Sequence, residues 1–307
     1  MGLNTASTFT GRVLALVLIL VVTPLFNTFA LGADAQTPAS RSTPIRIGIT
    51  PVILDQQFQF LREWKSYLES QLERPVEFVQ RDSYGKITTH LLKGELDFGW
   101  ICGYPYVQHQ SILELIAIPL FYGKPLYHSY LIVADTDTQT RSLLELQDTV
   151  FAYSDPDSNS GYLYAQYILI KAGKNPKKFF KQSFFTWQHR NTVEAVATGL
   201  AQAGAVDSYI WDTMKKQGNP LIARTRVAHK SRTFSFPPLV STKSVSSELK
   251  KVFQETLLSM EDNPRGKLLL KQLNIDGFIS GNSQSYKEIL EMHLFIEKEK
   301  HGEKHGV

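Results

Sequence analysis

Small hydroxyl, amide and carboxylate side chains are concentrated at one place in this chain, Ser154-Asp155-Pro156-Asp157-Ser158-Asn159-Ser160-Gly161. The stretch separates an apolar strand, Val150 to Tyr153, from Tyr162 to Lys171, whose apolar residues recur at helical spacing. A helix leaves its first N–H groups without backbone partners, and its dipole favours negative charge there. Ser158, Asn159 and Ser160 at such a start can hold an oxyanion; an ordinary N-cap accounts for the same residue types. Four further residues fall at strand ends. Tyr84 opens a helix after Val76–Gln80, and Tyr104 follows the strand ending at Ile101. His189 follows Ser183–Thr186, and Asp207 ends Gly204–Val206 just before another helix. Singly, a tyrosine packs, an aspartate caps and a histidine sits in a loop. Jointly, hydroxyl, imidazole and carboxylate at strand ends point to a polar binding site. No G-x-S-x-G motif, phosphate-loop lysine motif or cofactor motif is present, so a catalytic reading has little to stand on. His301 and His305 lie i, i+4 in a charged tail without a third metal ligand at sensible spacing.

The elements that must position these residues form two α/β series. The first runs strand Ile45–Ile49, helix Phe58–Leu72, strand Val76–Val79, helix Ser83–Leu92 and strand Leu96–Ile101, the order of a parallel sheet with helices on its faces. Two strand-like runs follow, Leu113–Phe121 and Tyr127–Ala134. The polar stretch Asp135–Arg141 predicts a crossing into a second lobe, which repeats the β-α pattern from Val150 to Val227. His229–Pro238, with its double proline, predicts the return. Helices at Leu249–Met260 and Ser285–Phe295 would then pack back on the first lobe. The fold class is therefore α/β with two lobes, each an open mixed sheet flanked by helices. Lobe 1 comprises residues 44–134 and 239–296 and lobe 2 residues 135–238, with hinge crossings at 134–137 and 232–238. Ligands of such sheets bind beyond the carboxyl ends of the strands, and a cleft between lobes is a common pocket. That placement favours an anion site at the octapeptide over a plain cap.

Bulk properties narrow the functions. The chain has 307 residues, 43% hydrophobic and 20% charged, which excludes disorder over most of its length. Its net charge of +4 comes without a dense Lys/Arg block interleaved with aromatics, so nucleic acid is not an expected partner. Arg12, the apolar run Val13–Val22, Pro24 and the small residues Ala33-Asp34-Ala35 read as a cleavable signal peptide over 1–35, followed by a flexible arm over 36–43 and, at the far end, a charged tail over 297–307 that frays. No cysteine lies near the cleavage site, so the exported chain is not expected to be a lipoprotein. The one cysteine, Cys102, reads as a small buried hydrophobe.

The residues then converge on a family. Asp155-Pro156-Asp157-Ser158-Asn159-Ser160-Gly161 is similar to the D-P-x-S-T-S-G helix start of the PhnD-like phosphate, phosphite and phosphonate-binding proteins of ABC transporters. Tyr84 with Asp97, Gly99-Trp100-Ile101-Cys102-Gly103, Tyr127 to Val133, His189 with Ala195-Val196-Ala197 and Gly199, and Gly204 to Tyr209 extend the resemblance from Ile45 to about Phe295. It implies a periplasmic-binding-protein fold of type 2 that captures a small oxyanion between its lobes, without a cofactor, and delivers it to an ABC permease; a sensory role beside a membrane kinase is the alternative. By the same resemblance, Ser158, Asn159 and Ser160 hold the anion, Tyr84 and Tyr127 donate from the first-lobe side, His189 donates from the second lobe, and Asp207 faces the ligand. Asn159 stands where the family has threonine. Sequencing the N-terminus of the exported protein is expected to find it close to Ala35; an N-terminus upstream of Val13 would contradict cleavage and favour the sensory alternative.

Overall fold

Alternating apolar residues build the first strand, β1 (Ile45–Ile49), in a computed structural model that describes residues 43–50 and 58–304. The signal peptide and nearly all of the arm lie outside the described residues. Helix α1 (Phe58–Leu72) follows, burying Phe60, Trp64, Tyr67, Leu68 and Leu72 along one stripe. Then come β2 (Val76–Gln80), α2 (Tyr84–Leu92), β3 (Phe98–Trp100), α3 (Gly103–Gln108) and β4 (Leu113–Leu120). The chain next passes through β5 (Leu126–Ala134), β6 (Val150–Tyr153), α4 (Tyr164–Lys171), α5 (Pro176–Phe179) and β7 (Gln182–Phe185). After these come α6 (His189–Ala197), β8 (Ala203–Asp207), α7 (Ser208–Lys216) and the long β9 (Thr225–Ser235). It returns through β10 (Leu239–Thr242), α8 (Ser247–Leu258), α9 (Pro264–Leu273), β11 (Gly277–Ser280) and α10 (Lys287–Lys304).

These strands form two mixed sheets, ordered β11-β4-β10-β3-β1-β2 and β7-β6-β8-β5-β9. In the first, β1 lies parallel to β2 and β3, while β10 runs antiparallel between β3 and β4. In the second, β6 is parallel to β7 and β8, while β5 is antiparallel to β8 and β9. The two-lobe α/β class follows from this arrangement, and both sheets belong to one compact unit from Ser42 onward.

Three segments differ from the sequence expectation. Residues 127–134 were assigned to the first lobe, but β5 pairs with β8 and β9 and lies inside the second sheet. Apolar alternation marks a strand without saying which sheet it joins. The first crossing is therefore residues 121–125, not 134–137, and the return is confined to 236–238. The two crossings touch: the Phe236 N–H donates to Pro125 O at 2.9 Å. The third difference is at the far end, where residues 297–304 continue α10 as helix, with Lys300 paired to Glu297 at 2.8 Å. Periodic charge on a solvated helix face looks like a frayed tail in sequence.

The first lobe's core is aromatic. Trp64 packs against Phe78 and meets Trp100 edge-on, and Phe98 stacks on Phe253 of α8 with ring centroids 3.9 Å apart. Phe253 is fully buried. Phe253→Ala is expected to lower unfolding free energy in urea by about 3–5 kcal/mol, because the stacked partner cannot collapse into the gap; a loss below about 1 kcal/mol would contradict this packing.

Candidate functional site

The octapeptide sits where β6 ends, and its first turn is wider than an α-helix. Residues Asn159–Leu163 form a π turn: the Leu163 N–H donates to Ser158 O at 3.0 Å, and the Tyr164 N–H reaches Asn159 O. Such turns recur at functional sites. Ser158 caps it, its Oγ accepting the Gly161 N–H at 2.9 Å. Gly161 is required by close approach, since a Cβ there would lie 2.5 Å from Ser154 Oγ and 2.6 Å from Ser154 Cβ. The bland and the functional readings thus coincide at Ser158, which is a cap and lines the site.

Ser158, Asn159 and Ser160 are completely buried. Ser160 O accepts the Ser129 hydroxyl at 2.7 Å, which ties the turn to β5, while Ser160 Oγ has no partner. Asn159 is held at two points. Its N–H donates to Cys102 Sγ at 3.3 Å and its Nδ2 donates to the Tyr127 hydroxyl at 2.9 Å, leaving Oδ1 without a partner. Tyr127 therefore reaches the site from β5 in the second sheet, not from the first lobe as expected.

His189, the first residue of α6, is buried against the same turn. The Asp207 N–H donates to its Nδ1 at 3.0 Å, and Ser154 Oγ lies 2.7 Å from that nitrogen. With Nδ1 accepting, the neutral ring carries its proton on Nε2, which faces Ser158 Oγ at 3.5 Å. Burial pushes the imidazole down to about 3, so it is a neutral donor at physiological pH. Asp207 acts first as the N-cap of α7, its Oδ1 accepting the Tyr209 N–H at 2.7 Å. Burial pushes its carboxyl up to about 8.

The first lobe contributes Tyr84 and Cys102. The Tyr84 hydroxyl is buried without a partner, and its ring meets His189 edge-on at 6.5 Å. Burial raises its pKa well above the ordinary value, with Cys102, Asp155, Asp207 and Tyr127 close enough to add to the shift. Tyr104 is not brought in: its ring lies edge-on to His293 of α10 at 5.6 Å, and Glu297 and Asp157 are the charges near it.

Three participants were not named from sequence. Asp155 Oδ2 accepts the Tyr84 N–H at 3.1 Å, across from the cradle to the start of α2, and its Oδ1 accepts the Asp157 N–H at 2.8 Å. Ser154 positions His189. Cys102, read as a small hydrophobe, presents its sulfur to the Asn159 N–H; burial pushes the thiol up to about 11. The strand-end rule that found Tyr84 and His189 also covers Cys102, which lies two residues beyond β3. Among the described residues, no lysine or arginine donates to any cradle residue in these hydrogen bonds, and no group of three His, Cys, Asp or Glu can hold a metal. The cradle is a set of neutral donors around a helix start.

Comparison with known proteins identifies the family. The family of ABC transporter, phosphonate, periplasmic substrate-binding proteins matches residues 47–286. The probable ABC transporter phosphite binding protein PhnD1 of Prochlorococcus marinus is 24% identical over 257 residues, covering 78% of this chain and 84% of that protein. The phosphate-import protein PhnD of Mycolicibacterium smegmatis is 25% identical over 209 residues, covering 64% of this chain and 61% of that protein. The structure of PhnD1 from Prochlorococcus marinus in complex with methylphosphonate superposes with a TM-score of 0.73 at 20% identity, covering 83% of this chain and 98% of that one.

Asp207 gives this site a pH signature. Folded, it keeps its proton up to about pH 8; unfolded, it ionises near the ordinary carboxylate value. Between those values the folded state holds more protons, so the group's contribution is fully present at low pH and is lost as pH rises. Asp155, pushed up to about 6 by burial, acts in the same sense over a narrower range, and His189 acts in the opposite sense below pH 6.5. Asp207→Asn keeps a capping oxygen and is expected to gain stability over the parent by about 2 kcal/mol or more between pH 5 and pH 8. Urea unfolding at both values measures the difference; a constant gap would show that Asp207 titrates normally.

Proposed function

The chain belongs to the family of periplasmic substrate-binding proteins of phosphonate ABC transporters, and we propose that it captures a phosphate-, phosphite- or phosphonate-type oxyanion at the Ser158–Ser160 helix start and presents it to an inner-membrane permease. The observation that carries this reading is the convergence of unpartnered buried hydroxyls, Tyr84 Oη and Ser160 Oγ, on a helix start that also faces the Nε2 proton of His189. An oxyanion entering a buried site loses its water, and donors already desolvated and aimed at it replace that water without a counter-charge. The dipole of the helix adds to them.

The relatives' ligands support the chemical class: one is a phosphite binding protein, one a phosphate-import protein, and the same PhnD1 was solved with methylphosphonate. Contributions from both lobes support capture by closure. Tyr84 and Cys102 stand on first-lobe elements, while the cradle, Tyr127, His189 and Asp207 stand on second-lobe elements. A ligand bridging both stabilises the closed arrangement by its differential affinity for it.

In a thermal-shift series with phosphate, phosphite, methylphosphonate and sulfate, at least one phosphorus oxyanion is expected to stabilise the protein; at about 100 times its dissociation constant the gain is about 2.7 kcal/mol. Ser160→Ala is expected to weaken that ligand about 10- to 100-fold, the loss of one hydrogen bond to a charged group, with the fold unchanged by circular dichroism. Full affinity in Ser160→Ala, or no response to any phosphorus oxyanion, would remove the reading.

A further inference from the structure

Of the unpartnered polar atoms in the cradle, two are hydroxyls, Tyr84 Oη and Ser160 Oγ, which can give a proton. The third, Asn159 Oδ1, can only receive one. In this orientation of the amide the Asn159 N–H is held by Cys102 Sγ at 3.3 Å and its Nδ2 by the Tyr127 hydroxyl at 2.9 Å. A serine or threonine at this position would offer a hydroxyl able to donate or accept as the ligand requires.

No protein group donates to Asn159 Oδ1. The ionisable groups of the cradle, from every element packed there, are Tyr84 of α2, Cys102 before α3, Tyr127 of β5, His189 of α6, and Asp155 and Asp207 at the ends of β6 and β8. Asp157 and Asp212 lie further out and are half-buried carboxyls. Asp207 Oδ1 caps α7, Asp155 accepts two backbone N–H groups, and the hydroxyls of Tyr84 and Ser160 are the donors an anion needs. A buried acceptor without a donor carries its full desolvation cost, and a donor brought by the ligand removes it.

We propose that the site takes its oxyanion in a form that bears a P–OH group, with that hydroxyl donating to Asn159 Oδ1 while Tyr84, Ser160 and His189 donate to the unprotonated oxygens. This rests on the oxyanion reading above and narrows it to a ligand class. Phosphate keeps one P–OH even as its dianion. The dianions of phosphite and methylphosphonate carry P–H or P–CH3 in that place and have a P–OH only as monoanions. Hydrogen phosphate is therefore the preferred ligand wherever all three acids are doubly ionised. Size alone does not produce this order, because P–H is smaller than P–OH and P–CH3 is larger. Exchanging the two ends of the Asn159 amide would turn a donor toward the ligand and reverse the preference, so the ligand series also decides the orientation.

Isothermal titration of the purified protein with phosphate, phosphite and methylphosphonate, at one pH above and one below the second ionisation of all three acids, tests the proposal. Comparing ligands at a single pH cancels titration of the site's own groups. At the higher pH phosphate is expected to bind about 10-fold or more tighter than either other ligand, and at the lower pH the gap is expected to shrink to about 3-fold or less. Asn159→Thr is expected to bind all three and to lose the gap at high pH; Asn159→Ser carries the same test where the threonine methyl does not fit. Equal affinities at high pH, a lead for phosphite or methylphosphonate, or an unchanged gap in the folded variants would overturn the proposal and leave oxyanion binding standing. No binding of any of the three at either pH would instead remove the oxyanion reading itself.

Discussion

The carboxylate of Asp155 is the contact on which the site's geometry depends. It belongs to the cradle turn after β6, yet it accepts the first N–H of α2 in the other lobe. Ser83, the residue placed to cap α2, makes no side-chain cap of its own. One carboxylate therefore satisfies a helix start in the first lobe and the Asp157 N–H in the second. The arrangement is a compromise between opposing effects. Burial disfavours the charge and pushes the acid up to about 6, while the two N–H donors pull it back. A buried charge held this way adds little net stability, but it fixes how the Tyr84 helix meets the Ser158 turn. The Ser158 N–H donates to Asp155 O at 2.9 Å, so the cap of the π turn hangs from the same residue.

Around that strut the site is built from groups kept neutral. His189 is denied its charge by burial, Asp207 retains its proton into the neutral range, and both tyrosines are pushed above their ordinary values. Neutral donors fixed in place lose little when a ligand's water is removed, whereas a buried lysine or arginine would itself have to be desolvated. The same neutrality sharpens discrimination. Each donor or acceptor that a wrong ligand leaves unmatched costs its full desolvation, with no surplus charge to mask the error.

Most of the secondary structure was legible because the apolar periodicities are strong, as in α1, β2 and α2. What periodicity could not supply was partnership. Tyr127–Ala134 was recognisable as a strand, but its place between β8 and β9 depends on pairings 70 or more residues away, and with it went the lobe assignment of Tyr127. The π turn was likewise hidden: Tyr162 to Lys171 announced a helix, and nothing local says that its first turn is widened. At the site, Ser158, Asn159, Ser160, His189, Asp207 and Tyr84 were reached by the strand-end rule together with the family pattern. Tyr104 satisfied the same rule, and its ring lies against His293 of α10 instead. Cys102 and Asp155 were passed over for the opposite reason. A lone thiol and a motif aspartate have common structural roles, and only the inter-lobe contacts assign them to the site.

The two crossings between the sheets lie side by side and are joined by the Phe236–Pro125 hydrogen bond, over a buried aromatic ring. A single connecting strand would leave one lobe free to swivel about the chain direction. A pair of linked strands can bend together but resists twisting, so the relative movement of the lobes is reduced toward one rotation. Under the closure proposed above, each stroke would return Cys102 Sγ to the same Asn159 N–H and Tyr84 to the same face of His189. A recognition surface divided between two halves thus keeps its registration from one cycle of capture and release to the next.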